Sequence, residues 1–226
     1  MTMKTTVTDL AIAGLAICAR AAAPVDRIPV KIGGGLQDWQ IVQQNESGAG
    51  DVELHGTWLP QTDKAKRTVF VRVVNEDDRS PVSRTLDWHP AETATNGSWR
   101  AKLSIPRGGL YRVETLLRKG DLRLDWNPNG EAVAHVGVGD IWVIAGQSNA
   151  DGNGRSAALD PPELGIHVFR HCGEWGLATH PLHDGTRSKY AADYGTACHS
   201  PWLAFARTVK ARVGYPVGLV PAALGG

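Results

Sequence analysis

Alternation of apolar and polar side chains is the feature that most constrains the fold of this chain. In the segment 98–105, single polar residues separate the apolar ones, and similar alternation occurs at 68–74 and 110–117. A period of two predicts β-strands with one buried and one exposed face. Turn-forming residues such as Asn96-Gly97 separate these segments. Because no helical pattern interrupts residues 36–137, we predict an antiparallel β-sandwich of about seven strands there.

The pattern changes at about residue 137. An apolar run at 141–145, a helical pattern with Ser200 as its predicted N-cap and Gly214 at its end, and a second apolar run at 217–222 follow in this order. Strand, helix and strand in succession are typical of a parallel α/β unit. We expect the first run to be a strand covered on both faces. Residues 138–226 are therefore interpreted as an incomplete α/β domain.

The amino terminus has the layout of a secretory signal. Lys4, an apolar stretch at 10–19 and the small residues Ala21-Ala22-Ala23 follow one another. The stretch is too short for a retained transmembrane helix. We predict a signal peptide at 1–23 and a secreted or periplasmic protein; a disordered leader is the alternative. In an oxidising compartment Cys172 and Cys198 could pair, but two isolated cysteines are more often unpaired.

Charge and composition exclude several kinds of partner. The formal net charge is +1, and basic and acidic residues are interspersed, which argues against nucleic acid and anionic membranes. Histidines at 167, 171, 180 and 183 lack a companion Cys or Asp at ligand spacing, so we predict neither a metal site nor a cofactor. The eight tryptophans are either packing residues or sugar-stacking surfaces. Nothing in the composition indicates the oligomeric state.

Ser148 lies where the apolar run 141–145 should turn into a loop or helix. A serine held just beyond a buried strand would project at the carboxyl edge of the sheet, where open α/β sheets bind ligands. The lipase elbow Gly-x-Ser-x-Gly does not fit, because Ala150 occupies the position of its last glycine. The placement predicts a nucleophile of a different esterase type.

Two motifs carry a resemblance to a known family. Residues 139–149, GDIWVIAGQSN, closely resemble the nucleophile block of the sialate O-acetylesterase-like carbohydrate esterases of the SGNH hydrolase superfamily. Residues 215–226 resemble the second block of that family, and the β-rich segment 36–137 is similar to the accessory sandwich that often precedes its catalytic domain. The resemblance implies a flavodoxin-like, three-layer α/β fold for 138–226. It also implies an acetylated carbohydrate as substrate, of sialic acid or plant polysaccharide type.

The resemblance also implies roles for single residues. Ser148 would attack the ester carbonyl, and its backbone N–H and that of Gly225 or Gly226 would stabilise the oxyanion. The sequence does not decide between these two glycines. Gln147 and Asn149, which flank the nucleophile, are expected to hold the turn rather than react. Asp140 is expected to be structural.

The catalytic base of the family is not found in these 226 residues. Its Asp-x-x-His pair follows the second block in the family, and no aspartate of this chain has a histidine three residues later. We therefore expect the chain to be a carboxy-terminally truncated esterase that is inactive by itself, since a serine without its base retains little catalysis. The alternative is a non-catalytic carbohydrate-binding or interaction module with a vestigial hydrolase domain.

Overall fold

The computed structural model describes residues 28–60, 63, 65–154, 160–184 and 199–224. The predicted signal peptide, Cys198, Gly225 and Gly226 lie outside these ranges. The fold is mostly β-sheet with few helices. Its first part contains nine strands: β1 (Val30–Gly34), β2 (Ile41–Gln43), β3 (Ala49–Trp58), β4 (Arg67–Asn75), β5 (His89–Pro90), β6 (Glu92–Thr93), β7 (Ser98–Pro106), β8 (Gly108–Lys119) and β9 (Asn129–Ile144).

The rest of the described chain mixes helices and strands. A short 3₁₀ turn, Leu124–Trp126, precedes β9. After β9 come α1 (Ser148–Asp151), β10 (Ile166–Phe169), β11 (Trp175–Leu177), α2 (Trp202–Val213) and β12 (Val217–Pro221). No described helix is long and apolar enough to cross a bilayer.

Two sheets pack over one core, and the second sheet extends into the α/β part of the chain. One has the order β1-β3-β7-β6; the other has the order β11-β10-β12-β9-β8-β4-β5, with β2 also paired to β9. The alternation predicted for 98–105 is confirmed, because β7 buries Trp99, Ala101, Leu103 and Ile105 and exposes the residues between them. Apolar residues of β1, β3 and β7 meet those of β4, β8 and β9 in this core. The interior of the predicted sandwich is thus built from both sheets.

Strand β9 belongs to both parts of the molecule. Residues from Asn129 to Val138 pair with β8, and residues 140–144 pair in parallel with β12. The predicted boundary between residues 137 and 138 falls inside this strand. Gly139 allows β12 to begin beside β9, because a Cβ there would lie 1.9 Å from the Pro216 carbonyl oxygen.

The described residues of the α/β part form three parallel strands, whereas two were predicted. β12 lies between β9 and β10 and is parallel to both, while β11 is antiparallel to β10. Helix α2 packs over this sheet through Leu203 and Ala206, which are buried. The described residues supply one helical layer. The three-layer arrangement that was expected therefore stays a prediction.

The first apolar run is not covered on both faces by the described residues. Trp142 is 42% exposed and Val143 is 64% exposed. Beyond Gly139, β2 no longer pairs with β9, and the Ile141 amide donates instead to the Gln43 side-chain oxygen at 2.8 Å. This edge of the α/β sheet is therefore open in the described part of the chain.

The ends of α2 agree in part with the sequence pattern. Gly214 is the left-handed C-cap, with φ 76°, and its N–H donates to the Lys210 carbonyl at 2.9 Å. Pro201, not Ser200, occupies the N-cap position. The Ser200 hydroxyl is buried and has no hydrogen-bond partner among the described residues. The expected serine cap is therefore wrong.

Candidate active site

Ser148 is the first residue of α1, four residues beyond the end of β9. The turn between them requires a glycine at 146, where φ is 145° and an added Cβ would lie 2.8 Å from the Ala150 Cβ. Such a conformation is rare for residues that carry a side chain. The structure thus places an exposed serine directly after the carboxyl end of a central strand.

Hydrogen bonds hold the backbone of Ser148 in place. Its carbonyl accepts from the amides of Gly152 at 3.1 Å and Asn153 at 3.0 Å. The Asn153 side-chain amide donates to the same oxygen at 3.1 Å. The Ser148 hydroxyl makes no hydrogen bond to a described residue, so it is available to another group.

The second sequence block runs beside the serine turn. After β12, the Ala222 amide donates to the Ile144 carbonyl at 2.8 Å, and the Leu224 amide donates to the Gly146 carbonyl at 3.2 Å. These bonds continue the pairing of β12 with β9 up to the turn. Gly225 and Gly226, the predicted oxyanion donors, follow Leu224 directly but lie outside the described residues.

The residues that flank the serine have backbone contacts and exposed side chains. Gln147 is the N-cap of α1, and its carbonyl accepts from the Asp151 amide at 2.8 Å. Asn149 is exposed within α1. Neither side chain hydrogen-bonds to another described residue. Gln147 holds the turn through its main chain, whereas nothing described assigns Asn149 a contact.

Asp140 links three segments. Its carboxylate accepts from the Gln44 side-chain amide at 2.8 Å and from the Tyr215 hydroxyl at 2.9 Å. Gln44 follows β2 and Tyr215 precedes β12, so the carboxylate ties both neighbours to β9. These contacts fit the structural role expected for Asp140.

No described histidine hydrogen-bonds to Ser148. One pairing of an acid with a histidine was not predicted from the sequence: His180 Nε2 lies 3.2 Å from Asp160 Oδ2. Arg207 on α2 also contacts Asp160, at 3.3 Å. Twenty residues separate Asp160 from His180, so a search for a short motif could not find the pair. Together with Arg207, the pair of Asp160 and His180 joins two loops to α2.

The predictions on metal and disulfide chemistry concern residues inside and outside the described ranges. No three His, Cys, Asp or Glu side chains converge there as metal ligands would. Cys172 is buried and its thiol lies 3.7 Å from the Glu174 carboxylate. Its proposed pairing with Cys198 falls on a residue outside the description.

Comparison with known families bears on the segment that holds this site. The model of the carbohydrate esterase family described as sialic acid-specific acetylesterase matches residues 138–226. These residues are sialate O-acetylesterase-like. The resemblance of the two motifs to sialate O-acetylesterase-like carbohydrate esterases is thereby confirmed, whereas the SGNH superfamily stays a prediction. We refer to residues 138–226 as the esterase-like segment.

Solved structures give more distant similarities. A carbohydrate acetylesterase from Xanthomonas citri is 16% identical over 87% of this chain, with a TM-score of 0.43. A protein from Arabidopsis thaliana is 29% identical over 38% of this chain, with a TM-score of 0.32. This chain spans 40% of the length of either one. No curated protein matches the chain.

Proposed function

We propose that Ser148 is the nucleophile of an esterase that removes O-acetyl groups from carbohydrates. The observation that carries this proposal is the placement of an exposed serine at the carboxyl end of β9, with the chain after β12 bonded alongside its turn. Both features lie in the esterase-like segment. The sugar, of sialic acid or plant polysaccharide type, would be selected by loops between residues 151 and 199 and by residues beyond this chain.

The proposed reaction proceeds through an acyl-enzyme. A base takes the proton from the Ser148 hydroxyl as its oxygen bonds to the acetyl carbonyl carbon. The resulting oxyanion accepts hydrogen bonds from the N–H of Ser148 and from the N–H of Gly225 or Gly226. Ser148 is the first residue of α1, so its N–H has no acceptor within that helix. The bond to the sugar oxygen then breaks and this oxygen takes the proton. Water releases acetate and restores the serine.

The base would come from outside the described residues. Since no described histidine contacts Ser148, we propose that the chain carries the amino-terminal part of an esterase domain and that an Asp-x-x-His pair follows it in a longer protein. The coding sequence after residue 226 provides a direct test. An in-frame Asp-x-x-His supports this proposal, and a stop codon favours a non-catalytic module.

The role of Ser148 can be measured by labelling. In a protein that includes the Asp-x-x-His pair, a fluorophosphonate should label Ser148, and Ser148→Ala should lower the turnover of p-nitrophenyl acetate by about 10⁴-fold or more. Ser104→Ala, which alters an exposed serine on β7, is the matched control and should leave both readouts unchanged. Labelling that persists in the folded Ser148→Ala variant would exclude the covalent mechanism. The 226-residue chain by itself should show no sustained turnover.

The second candidate function is a carbohydrate-binding or interaction module. It is favoured by the lack of a described base at Ser148 and by the exposure of Trp126, which is 68% accessible. Against it, Trp99 is 3% exposed and Trp39 stacks on His135 with ring centroids 3.8 Å apart, as expected of packing residues. Binding of glycans without hydrolysis by the longest natural form of the protein would support this second function.

Export belongs to the proposal as well. We propose that residues 1–23 direct the protein to the periplasm or the cell exterior and are then removed. Amino-terminal sequencing of protein recovered from the medium or periplasm should find Pro24 or a close neighbour as the first residue. Recovery of a cytoplasmic form that retains Met1 would contradict export.

A further inference from the structure

A cluster of arginines lies on the face of the β4–β8 pair that points away from the sandwich core. Arg72 on β4 is directly opposite Glu114 on β8. The Arg72 guanidinium lies 2.8 Å from the Glu114 carboxylate, and Arg112, two residues before Glu114, lies 3.1 Å from it. Arg79, from the turn after β4, contacts the same carboxylate. Three guanidinium groups therefore surround one carboxylate.

The cluster has an excess of positive charge. Burial alone would raise the pKa of Glu114, but its hydrogen bonds to Arg72 and Arg112 and the charges of Arg72 and Arg79 lower that pKa below its ordinary value. Glu114 is therefore ionised at neutral pH. None of the three arginines forms an ion pair with a second described carboxylate. Two positive charges stay uncompensated within the cluster.

The geometry of the cluster is held from outside the sheet. The Trp88 ring stacks on Arg72, with its centroid 4.5 Å from the guanidinium carbon. Arg79 has a φ of 60°, a conformation that is uncommon for a residue with a side chain. Residues in such conformations cluster at functional sites more often than elsewhere. The Arg72 guanidinium is thus positioned by a contact besides Glu114.

A cavity opens beside these groups. Its volume is about 200 Å³, and Arg72, Arg112, Glu114 and Asn129 are among the residues that line it. The Asn129 side chain has no hydrogen-bond partner among the described residues, so its amide can donate to a ligand. The cavity suits a small anionic group.

Guanidinium groups select planar, bidentate anions. The fork of Arg donors matches the two oxygens of a carboxylate. The exposed Trp126 is three residues before Asn129, within about 10 Å along the chain. The Arg123 guanidinium carbon lies 5.7 Å from the centroid of the Trp126 ring. An exposed tryptophan this close along the chain, together with the polar cavity, suits a sugar with a charged substituent.

We propose that the cavity between Arg72, Arg112 and Asn129 binds the carboxylate of an acidic sugar residue. The sugar part of this inference rests on the proposed function, whereas the anion part rests on the arginine cluster. Asn129 begins β9 and Ser148 follows its end, so the strand separates them by at most about 50 Å at 3.3 Å per residue. No residue that lines the cavity belongs to the serine turn, so the cavity is an accessory subsite distinct from Ser148.

The test measures glycan binding to the whole chain by NMR. Hexagalacturonate and sialyllactose serve as carboxylated probes from two sources, with xylohexaose as the neutral control and sodium acetate as the small-anion control. Either carboxylated probe should shift the backbone amide signals of Arg112, Glu114 and Ala132. Arg112→Gln should weaken this binding about tenfold or more, as expected for a lost hydrogen bond between charged groups. Arg100→Gln, on the outer face of β7, is the matched control and should bind as the unmodified protein does.

The outcomes separate this inference from the proposed function. Equal shifts with xylohexaose, equal affinity for acetate, or unchanged affinity in Arg112→Gln would each overturn the subsite. If Arg112→Gln does not fold, the location of the shifts in the unmodified protein decides. Glu114→Gln, which removes the internal anion, should strengthen binding several-fold. Labelling at Ser148 reports on the esterase independently, because no residue of the cavity contacts the serine turn.

Discussion

Replacing Gly139 with alanine should destabilise the protein strongly. The new Cβ would lie 1.9 Å from the Pro216 carbonyl oxygen and 3.1 Å from the Tyr215 ring. The first contact involves main chain, so β12 must move away from β9 and weaken the parallel pairing that begins at Asp140 and Val217. Overpacking of this kind costs about 3 kcal/mol or more. At this chain length the melting temperature should fall by about 6–12 °C.

Gly176→Ala is the matched control for this change. Gly176 lies within β11, and an added Cβ there would meet no atom within 4 Å. The melting temperature of the Gly176→Ala variant should stay within a few degrees of that of the unmodified protein. Thermal unfolding followed by circular dichroism measures both variants. Equal stability of Gly139→Ala and Gly176→Ala would contradict the close approach of β12 to β9.

His167 should make the stability of the protein depend on pH. Its ring on β10 is fully buried, and Nδ1 donates to the Trp39 carbonyl at 2.6 Å. Burial, opposed by this hydrogen bond and assisted by the nearby charge of His135, lowers the pKa of His167 from 6.5 to about 4. Protonation would place a charge on Nε2, which is buried and has no hydrogen-bond partner among the described residues.

The sign of the effect follows from this lowered pKa. Between pH 6.5 and about 4 the unfolded chain binds the proton and the folded chain does not. The contribution of His167 to the free energy of unfolding is thus present above pH 6.5 and is lost as the pH falls to about 4. A difference of about 2.5 pKa units corresponds to about 3 kcal/mol.

His167→Asn isolates this contribution. Asparagine retains an N–H that can donate to Trp39 but does not titrate. Urea unfolding of both proteins at pH 7, 5.5 and 4 gives the difference in the free energy of unfolding at each pH. The stability advantage of the unmodified protein over His167→Asn should shrink by about 3 kcal/mol from pH 7 to pH 4. A difference that is constant across this range would show that His167 does not titrate as inferred.

The strands of the sandwich were predictable because each has a local signature. The alternation along β7 and β8 requires only that one face meets a core, and Trp99, Leu103, Val113 and Leu117 are all buried as that pattern indicates. Hairpin signals between the strands are equally local. These strands could therefore be located in the sequence without knowing which strands they pair with.

β9, β10 and β11 show where local patterns fail. The change of pattern at about residue 137 was predicted to start a new domain, and β9 runs through it as one strand, in which Gly137 and Gly139 permit close packing of Ile41 and Pro216. β10 and β11 have four and three residues, too few for a period to be detected. β10 pairs with β12, which is distant in sequence, and β11 pairs in turn with β10.

The candidate active site, too, could be predicted from the sequence only in part. Ser148 could be located from the apolar run and the glycine before it, because strand, turn and serine are contiguous. The pairing of Asp160 with His180 and the convergence of Arg72, Arg79 and Arg112 on Glu114 depend on tertiary structure. Sequence spacing has no information on such contacts, so neither cluster was anticipated.

The length of β9 affects how this protein can be dissected. A cut between residues 137 and 138 would divide a single strand and leave each half with a sheet that lacks its neighbour. Neither piece would retain a complete hydrophobic surface, and each would present unpaired main-chain groups on which aggregation can start. Expression of the esterase-like segment by itself should therefore begin upstream of Asn129, or include the sandwich.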